Sequence, residues 1–283
     1  MTDIIEICLS INSDNSHLKA SELLSHHTNL SQTKIKDAMQ KGATWLHRGK
    51  SKRRLRRSSK PLKIGDKLEL NYNPEILNQS VPEPQLIHDA NDYSIWFKPY
   101  SLNCQGSRWG DFASINRWVE INSAKSGNER PVFLVHRLDR ATTGLILLCH
   151  TKTAARAFSE MFAEGKMDKR YQAIVHGDFS VFPKDYEVNQ EVDGKMALSI
   201  FSHVSYQNGF SLVDVQLKTG RKHQIRQHLS ALNFPIVGDR LYGDGEGDGR
   251  DLQLQSVSLA FECPITNKEQ LFTVFNEQRL ELT

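Results

Sequence analysis

Three stretches of the chain carry apolar residues at helical spacing. In the first, Ile35, Ala38 and Met39 form one stripe; Ser31 stands where a side-chain oxygen caps the first turn, and Gly42 where a left-handed residue closes the last. In the second, Ala154, Phe158, Met161 and Phe162 fall at i, i+4, i+7 and i+8, with Thr151 or Thr153 as cap and Gly165 as terminator. In the third, Gly220 ends a strand, and a helix follows whose Ile225, Leu229 and Leu232 point to a core while His223, Arg226 and Ser230 lie on a neighbouring face. Alternating or short continuous apolar runs predict strands at 44–46, at Leu68 and Leu70 after a Gly65-Asp66 turn, at 132–135 and 145–148, and through Val213, Val215 and Leu217. YQAIVHG is a further strand, with Tyr171, Ala173 and Val175 on one face.

The two kinds of pattern are separated by NYNPEILNQSVPEP, whose three prolines and lack of periodicity mark a linker. The expected organisation is a small domain over 1–75, a linker over 76–84 and a larger domain over 85–283. A length of 283 residues accommodates both, and 39% hydrophobic with 24% charged residues excludes general disorder. Cys8, Cys104, Cys149 and Cys263 form no C-x-x-C or zinc-type spacing, which points to reduced thiols inside a cell. The opening MTDIIEICLSINSDN has acids where a secretory leader needs bases, and the longest apolar run, 145–149, is too short for a bilayer. A cytoplasmic, monomeric protein without a membrane partner is expected. The loop GDGEGDGRD lacks a full calcium ligand set and reads as a flexible turn.

A formal net charge of +3 is modest, so the distribution of charge carries more information than its sum. HRGKSKRRLRRSSKPLK holds Arg48, Lys50, Lys52, Arg53, Arg54, Arg56, Arg57, Lys60 and Lys63 and no acid. Such a patch suits a polyanion, since every phosphate it neutralises releases counterions; a solvated loop is the bland alternative. The helix and turn LSQTKIKDAMQKGATWL and the closing KIGDKLEL around this patch resemble the small RNA-binding domain first described in ribosomal small-subunit protein four. That resemblance makes Arg48, Lys52, Arg53, Arg54, Arg56 and Arg57 candidate RNA contacts.

Candidate chemistry gathers between the two predicted strands at 132–135 and 145–148, where a loop holds His136, Arg137, Asp139 and Arg140. Guanidinium groups beside a carboxylate favour its ionised form, and an ionised, oriented carboxylate is a nucleophile; an ion-pair knot is the structural alternative. Tyr171 can stack on a flat base or fill a core. Arg226, on a rigid helix, can be presented to Asp139. His223 and His228, five apart, do not suit a shared metal and read as polar structural groups.

HRLDRATTG, KRYQAIVHG, DGKMA, TGRKHQIRQH and PIVGDRLYG, in that order over about 87–264, resemble the RluA-type pseudouridine synthase family. The resemblance implies an α+β fold, with a mixed, mainly antiparallel sheet and flanking helices in the catalytic domain, beside the small N-terminal α/β domain. It implies that Asp139 is the catalytic aspartate, Tyr171 the ring stacked on the target base, and Arg226 the aspartate's salt-bridge partner. It places Arg137 at the RNA, with Arg140, Arg221 and His223 as further contacts, and it implies chemistry without metal or organic cofactor. The implied substrate is a uridine in structured RNA, ribosomal RNA of the large subunit or transfer RNA. The base would be extruded from its stack and attacked by Asp139 at the sugar or the ring. Three positions depart from the family pattern: Ser101 for a glycine, Thr143 for a serine and Gln255 for a histidine. Two other classes compete. A non-catalytic RNA-binding or ribosome-assembly protein would use the same patch, and a glycosidase-like hydrolase needs a second acid, which does not stand out.

Overall fold

The computed structural model describes residues 3–243 and 249–282. Residues 244–248 of the GDGEGDGRD turn, and the first two residues of the opening segment, lie outside that description. The chain divides into two compact units, Met1–Val81 with Gln105–Asn122 and Pro82–Cys104 with Ser123–Thr283.

In the first unit, β1 (Ile5–Ser10), β2 (Thr44–Arg48), β3 (Ser51–Arg54) and β4 (Lys67–Tyr72) form an antiparallel sheet in the order β1-β4-β2-β3. Two helices, α1 (Ala20–His26) and α2 (Gln32–Gln40), share a core with it: Leu23, Leu24, Ile35, Ala38 and Met39 pack with Leu46, Leu68 and Leu70. Ser31 caps α2 by accepting the Lys34 N–H at 3.3 Å, and Gly42 follows it at φ +85°. These are the roles their residue types suggest. The segment expected to link the domains begins as structure. Asn73 accepts the N–H groups of Glu75 (3.0 Å) and Ile76 (3.2 Å), starting α3 (Pro74–Leu77), and Leu77 enters the core of the first unit. Phe112 packs on the same core, and α4 (Ile115–Lys125) begins in this unit.

The second unit is built on a ten-stranded sheet with β5 (Gln85–Asp89), β6 (Tyr93–Lys98), β7 (Phe133–Leu134), β8 (Thr143–Cys149), β9 (Asp168–His176), β10 (Tyr186–Val192), β11 (Lys195–Gln207), β12 (Phe210–Leu217), β13 (Leu254–Glu262) and β14 (Glu269–Thr273). Its main path runs β10-β11-β12-β9-β13-β8-β6-β5, with β14 on β13 and β7 on β8. Every pairing is antiparallel except β8 with β13. The fold is therefore α+β, with a mixed and mainly antiparallel sheet. Helix α5 (Lys152–Ala163) starts where Thr151 accepts the Ala154 N–H at 3.2 Å, and buries Ala154, Phe158 and Met161. Helix α6 (Gln224–Ala231) buries Ile225 and Leu229, while Leu232 at its end is half-buried.

The parallel pair sets Thr143 opposite Gln255 and Gly144 opposite Ser256. Gly144 sits at φ +104°, and a β-carbon there would lie 2.1 Å from the Ser256 carbonyl oxygen, so only glycine fits. This junction fixes the exit of the loop that carries Asp139.

Candidate active site

The loop between β7 and β8 is fastened from below by Lys98, which with Pro99 is the pair shared with the family's entry motif in FKPYSLNCQG, and by Cys104. Lys98, fully buried at the end of β6, donates from Nζ to the carbonyl oxygens of Pro99 (3.1 Å), Leu102 (2.9 Å) and Arg140 (3.2 Å). Burial lowers its pKa to about 8, against the opposing pull of Cys104 and Asp139. The Cys104 thiol donates to the Leu138 carbonyl at 3.1 Å and accepts the Leu138 N–H at 3.2 Å. The Asp139 carbonyl accepts the Thr142 N–H at 3.1 Å. The backbone on both sides of Asp139 is thus tied down, as a site that must hold a reacting group within a fraction of an ångström requires.

His136 of the same loop is structural. Its Nε2 accepts the Leu147 N–H at 2.9 Å and its ring stacks on Phe162 with centroids 4.5 Å apart. Burial, with a smaller push from Lys169, lowers its pKa to about 3, so the imidazole is a neutral acceptor for the Leu147 amide of β8.

The Asp139 side chain is 30% exposed, and each of its oxygens faces one group on α6 or its start. Oδ2 lies 3.8 Å from Arg226 Nη1 and Oδ1 lies 3.7 Å from His223 Nε2. Arg226 has a second carboxylate, which sequence reasoning missed: its Nε and Nη2 donate to Asp239 at 2.7 and 2.6 Å. Both partners are nearly out of solvent, Arg226 at 6% and Asp239 at 1%. Asp239 also accepts the N–H groups of Leu241 (2.9 Å) and Tyr242 (3.1 Å). Burial is the largest single influence on the Asp239 pKa and raises it, but the Arg226 hydrogen bonds and charge together with the Leu241 and Tyr242 N–H groups leave the net shift downward. Burial likewise lowers that of Arg226, while Asp239 and then Asp139 leave it raised. The missed signal was chemical: a buried guanidinium has five donors, and one partly exposed carboxylate cannot satisfy them.

Tyr171 lies buried on β9, opposite Ser256 in register. Burial pushes its phenol up, Ser256 pulls it down, and the charge of Asp139 adds to the rise. A neutral ring beside the carboxylate is suited to stacking and is a weak base at neutral pH. Arg137, Arg140 and Arg221 are exposed in the same unit. Gln255 is buried and joins Thr143 Oγ1 (3.4 Å) to the Gln278 carbonyl (2.8 Å), so two of the three departures from the family pattern contact each other. The third, Ser101, takes φ +63°, a glycine-type conformation occupied here by serine. Among the described residues no group of three or more His, Cys, Asp or Glu side chains is placed to hold a metal ion.

In the first unit the basic stretch is divided by acids from elsewhere in the chain. Arg48 grips Asp66 at 2.8 and 2.6 Å, and Lys52 reaches Glu69 at 2.8 Å. Arg54 pairs with Asp111 at 3.1 Å and donates to the carbonyls of Gly42 and, at 2.7 Å, Ser107. Arg56 pairs with Asp111 and donates to the Gln40 carbonyl at 3.0 Å. Lys50, Arg53, Arg57, Lys60 and Lys63 are exposed and, among the described residues, form no ion pair.

Residues 92–231 match the family model described as RNA pseudouridylate synthase. The chain is 31% identical over 228 residues to an uncharacterized RNA pseudouridine synthase, YjbO, of Bacillus subtilis, across 75% of this chain and 80% of that protein. It belongs to the RNA pseudouridylate synthase family. The synthase is also 35% identical over 170 residues to tRNA pseudouridine synthase C of Vibrio parahaemolyticus, covering 49% of this chain and 69% of the relative. Its fold matches human RNA pseudouridylate synthase domain containing 1 with a TM-score of 0.58 at 20% identity, over 70% of this chain and 85% of that one. The enzyme is an isomerase that converts uridine in RNA to pseudouridine. Asp139, Tyr171, His223 and Arg226 lie inside the matched span; Asp239 and Tyr242 lie beyond it. Among the described residues no helix is long and apolar enough to cross a membrane.

Proposed function

We propose that the synthase modifies a uridine in structured RNA, in transfer RNA or in ribosomal RNA of the large subunit, with Asp139 as the reacting carboxylate. One observation carries this reading: Asp139 is a partly exposed carboxylate on a clamped loop, with a distinct group from α6 or its start held within 4 Å of each oxygen. Isomerisation requires the glycosidic bond to break and the ring to rejoin the sugar through carbon five. A stacked uracil hides that bond, so the nucleotide must leave its helix, at a cost of a few kcal/mol that is smallest in loops and distorted stems. Tyr171 is the platform for the extruded ring, and Arg226, anchored by Asp239, orients the carboxylate. Arg137, Arg140 and Arg221 contact the RNA around the emptied position. The first unit acts as a small RNA-binding domain through its unpaired cations, and the protein works as a cytoplasmic monomer. Transfer RNA is favoured by the similarity to a synthase named for that substrate.

The test is to incubate total RNA with wild-type protein or with Asp139→Asn and map carbodiimide-dependent primer-extension stops. Wild type is expected to add stops at defined uridines, and the variant none, while binding the same RNA within a few-fold. Stops of equal strength with the variant overturn the assignment of Asp139.

A further inference from the structure

His223 occupies a position whose backbone and side chain are both unusual for the start of a helix. Its φ and ψ are +55° and 21°, in the left-handed region that side chains rarely adopt, and although its carbonyl accepts the Gln227 N–H at 2.9 Å its side chain makes no capping hydrogen bond to α6. The imidazole is directed elsewhere. Nδ1 lies 3.0 Å from the Tyr242 hydroxyl, Nε2 lies 3.7 Å from Asp139 Oδ1, and the side chain is 15% exposed. Tyr242 is itself fixed at both ends of its peptide unit: its N–H donates to Asp239 at 3.1 Å and its carbonyl accepts the Ser230 hydroxyl of α6 at 2.7 Å. Its ring lies 5.1 Å from the Arg226 guanidinium. The contacts close a circuit from Asp139 through His223, Tyr242, Asp239 and Arg226 back to Asp139.

We propose that His223 and Tyr242 form a positioning pair for Asp139, holding Oδ1 as Arg226 holds Oδ2. This rests on the reading of Asp139 as the reacting carboxylate; it gives Tyr242 a role and assigns His223, expected from the resemblance to contact RNA, to the carboxylate instead. The proton arrangement follows from the neighbours. A lone pair on Nε2 would be repelled by the carboxylate, so Nε2 carries the hydrogen and Nδ1 accepts the hydrogen of the Tyr242 hydroxyl. Burial lowers the His223 pKa; Asp139 opposes it, Arg226 and Lys222 reinforce it, and Asp239 opposes. The ring is therefore a neutral N–H donor at pH 7 and aligns the carboxylate without adding a second positive charge beside the reacting sugar. At 3.7 and 3.8 Å neither oxygen of Asp139 is capped by a short hydrogen bond, which leaves both available as nucleophiles.

Single-turnover and steady-state kinetics on a transfer-RNA or ribosomal-RNA substrate test the pair. His223→Gly removes the imidazole and relieves the left-handed backbone, so the fold stands. Its kcat is expected to fall on the order of 10- to 100-fold with KM for RNA unchanged, the signature of lost alignment. His223→Asn tolerates the left-handed backbone and restores an N–H donor, and is expected to recover part of the loss. Tyr242→Phe, which removes one hydroxyl and keeps the ring, is expected to lower kcat in the same direction, and the double variant to be no slower than His223→Gly alone. A raised KM with unchanged kcat would make His223 an RNA contact and overturn the proposal, as would unchanged kinetics or additive losses. Should His223→Gly fail to fold, Tyr242→Phe decides alone. If Asp139→Asn keeps full activity, the reading of Asp139 fails first; if that variant is dead and the His223 and Tyr242 variants are normal, only the pair fails.

Discussion

Arg226 divides its nitrogens between two carboxylates, and the division explains why its neighbourhood is rigid. The two-pronged bond to Asp239 is buried on both sides, whereas Asp139 receives the remaining nitrogen at longer range. Removing one partner of such a pair leaves a buried charge unpaired, which costs about 3–5 kcal/mol. Asp239→Ala is therefore expected to lower the unfolding free energy obtained from urea titration by an amount of that order, moving the midpoint down, and to depress turnover by releasing Arg226. A midpoint within experimental error of wild type contradicts the anchor. The link between Arg226 and Asp139 was legible because both sit in motifs with a known resemblance. The link to Asp239 was not, since nothing local relates a helix residue to a turn 13 positions later. His136 was visible as a polar residue at a strand end, but its bond to the Leu147 amide depends on how the loop folds back over its own strand.

That bond also couples one histidine to β8 and α5, with a consequence for pH. The folded pKa of His136 is about 3 and its ordinary value 6.5, so below pH 6.5 the unfolded chain binds a proton that the folded one refuses. The contribution of His136 is fully present above about 6.5 and is lost as pH falls toward about 3. Urea midpoints taken across that window are expected to fall more steeply for wild type than for His136→Gln, and parallel curves contradict the burial. At this scale α2 and α5 were legible because apolar spacing and caps agree, as Ser31, Thr151, Gly42 and Gly165 show. The hairpin of β10 and β11 was not read as strands. Its turn, Asp193 and Gly194 at φ +51° and +74°, was quoted only as part of a motif, and its outward positions carry Glu, Gln and Lys without an alternating signal. β5 and β6 were missed as well: β6 is completed by pairing with β8, far along the chain, and β5 is the edge strand laid on β6.

For the whole molecule, the modest net charge and the dense basic stretch are reconciled by acids brought from a distance. Asp66, Glu69 and Asp111 tie down four of the cations that sequence alone assigned to RNA, and Asp111 belongs to a segment that joins the first unit only through tertiary contacts. The triple variant Arg53→Gln, Arg57→Gln and Lys60→Gln is accordingly expected to flatten the dependence of log binding constant on log salt, by about 0.7–0.9 for each phosphate no longer neutralised, with thermal stability unchanged. An unchanged slope in a filter-binding titration removes the first unit from the RNA surface. The family and the mixed sheet were legible from motif order, whereas which charges are free was not, because ion pairs that span 17 or 18 residues to Glu69 and Asp66, and 55 or more to Asp111, leave no local trace. Turnover depends on one carboxylate, and tritium release from RNA carrying uracil labelled at carbon five reads its chemistry directly. Under single-turnover conditions wild type should release the label in proportion to pseudouridine formed, and Asp139→Asn should release none while still retaining the RNA. Release by the variant at the wild-type rate would contradict the account at its centre.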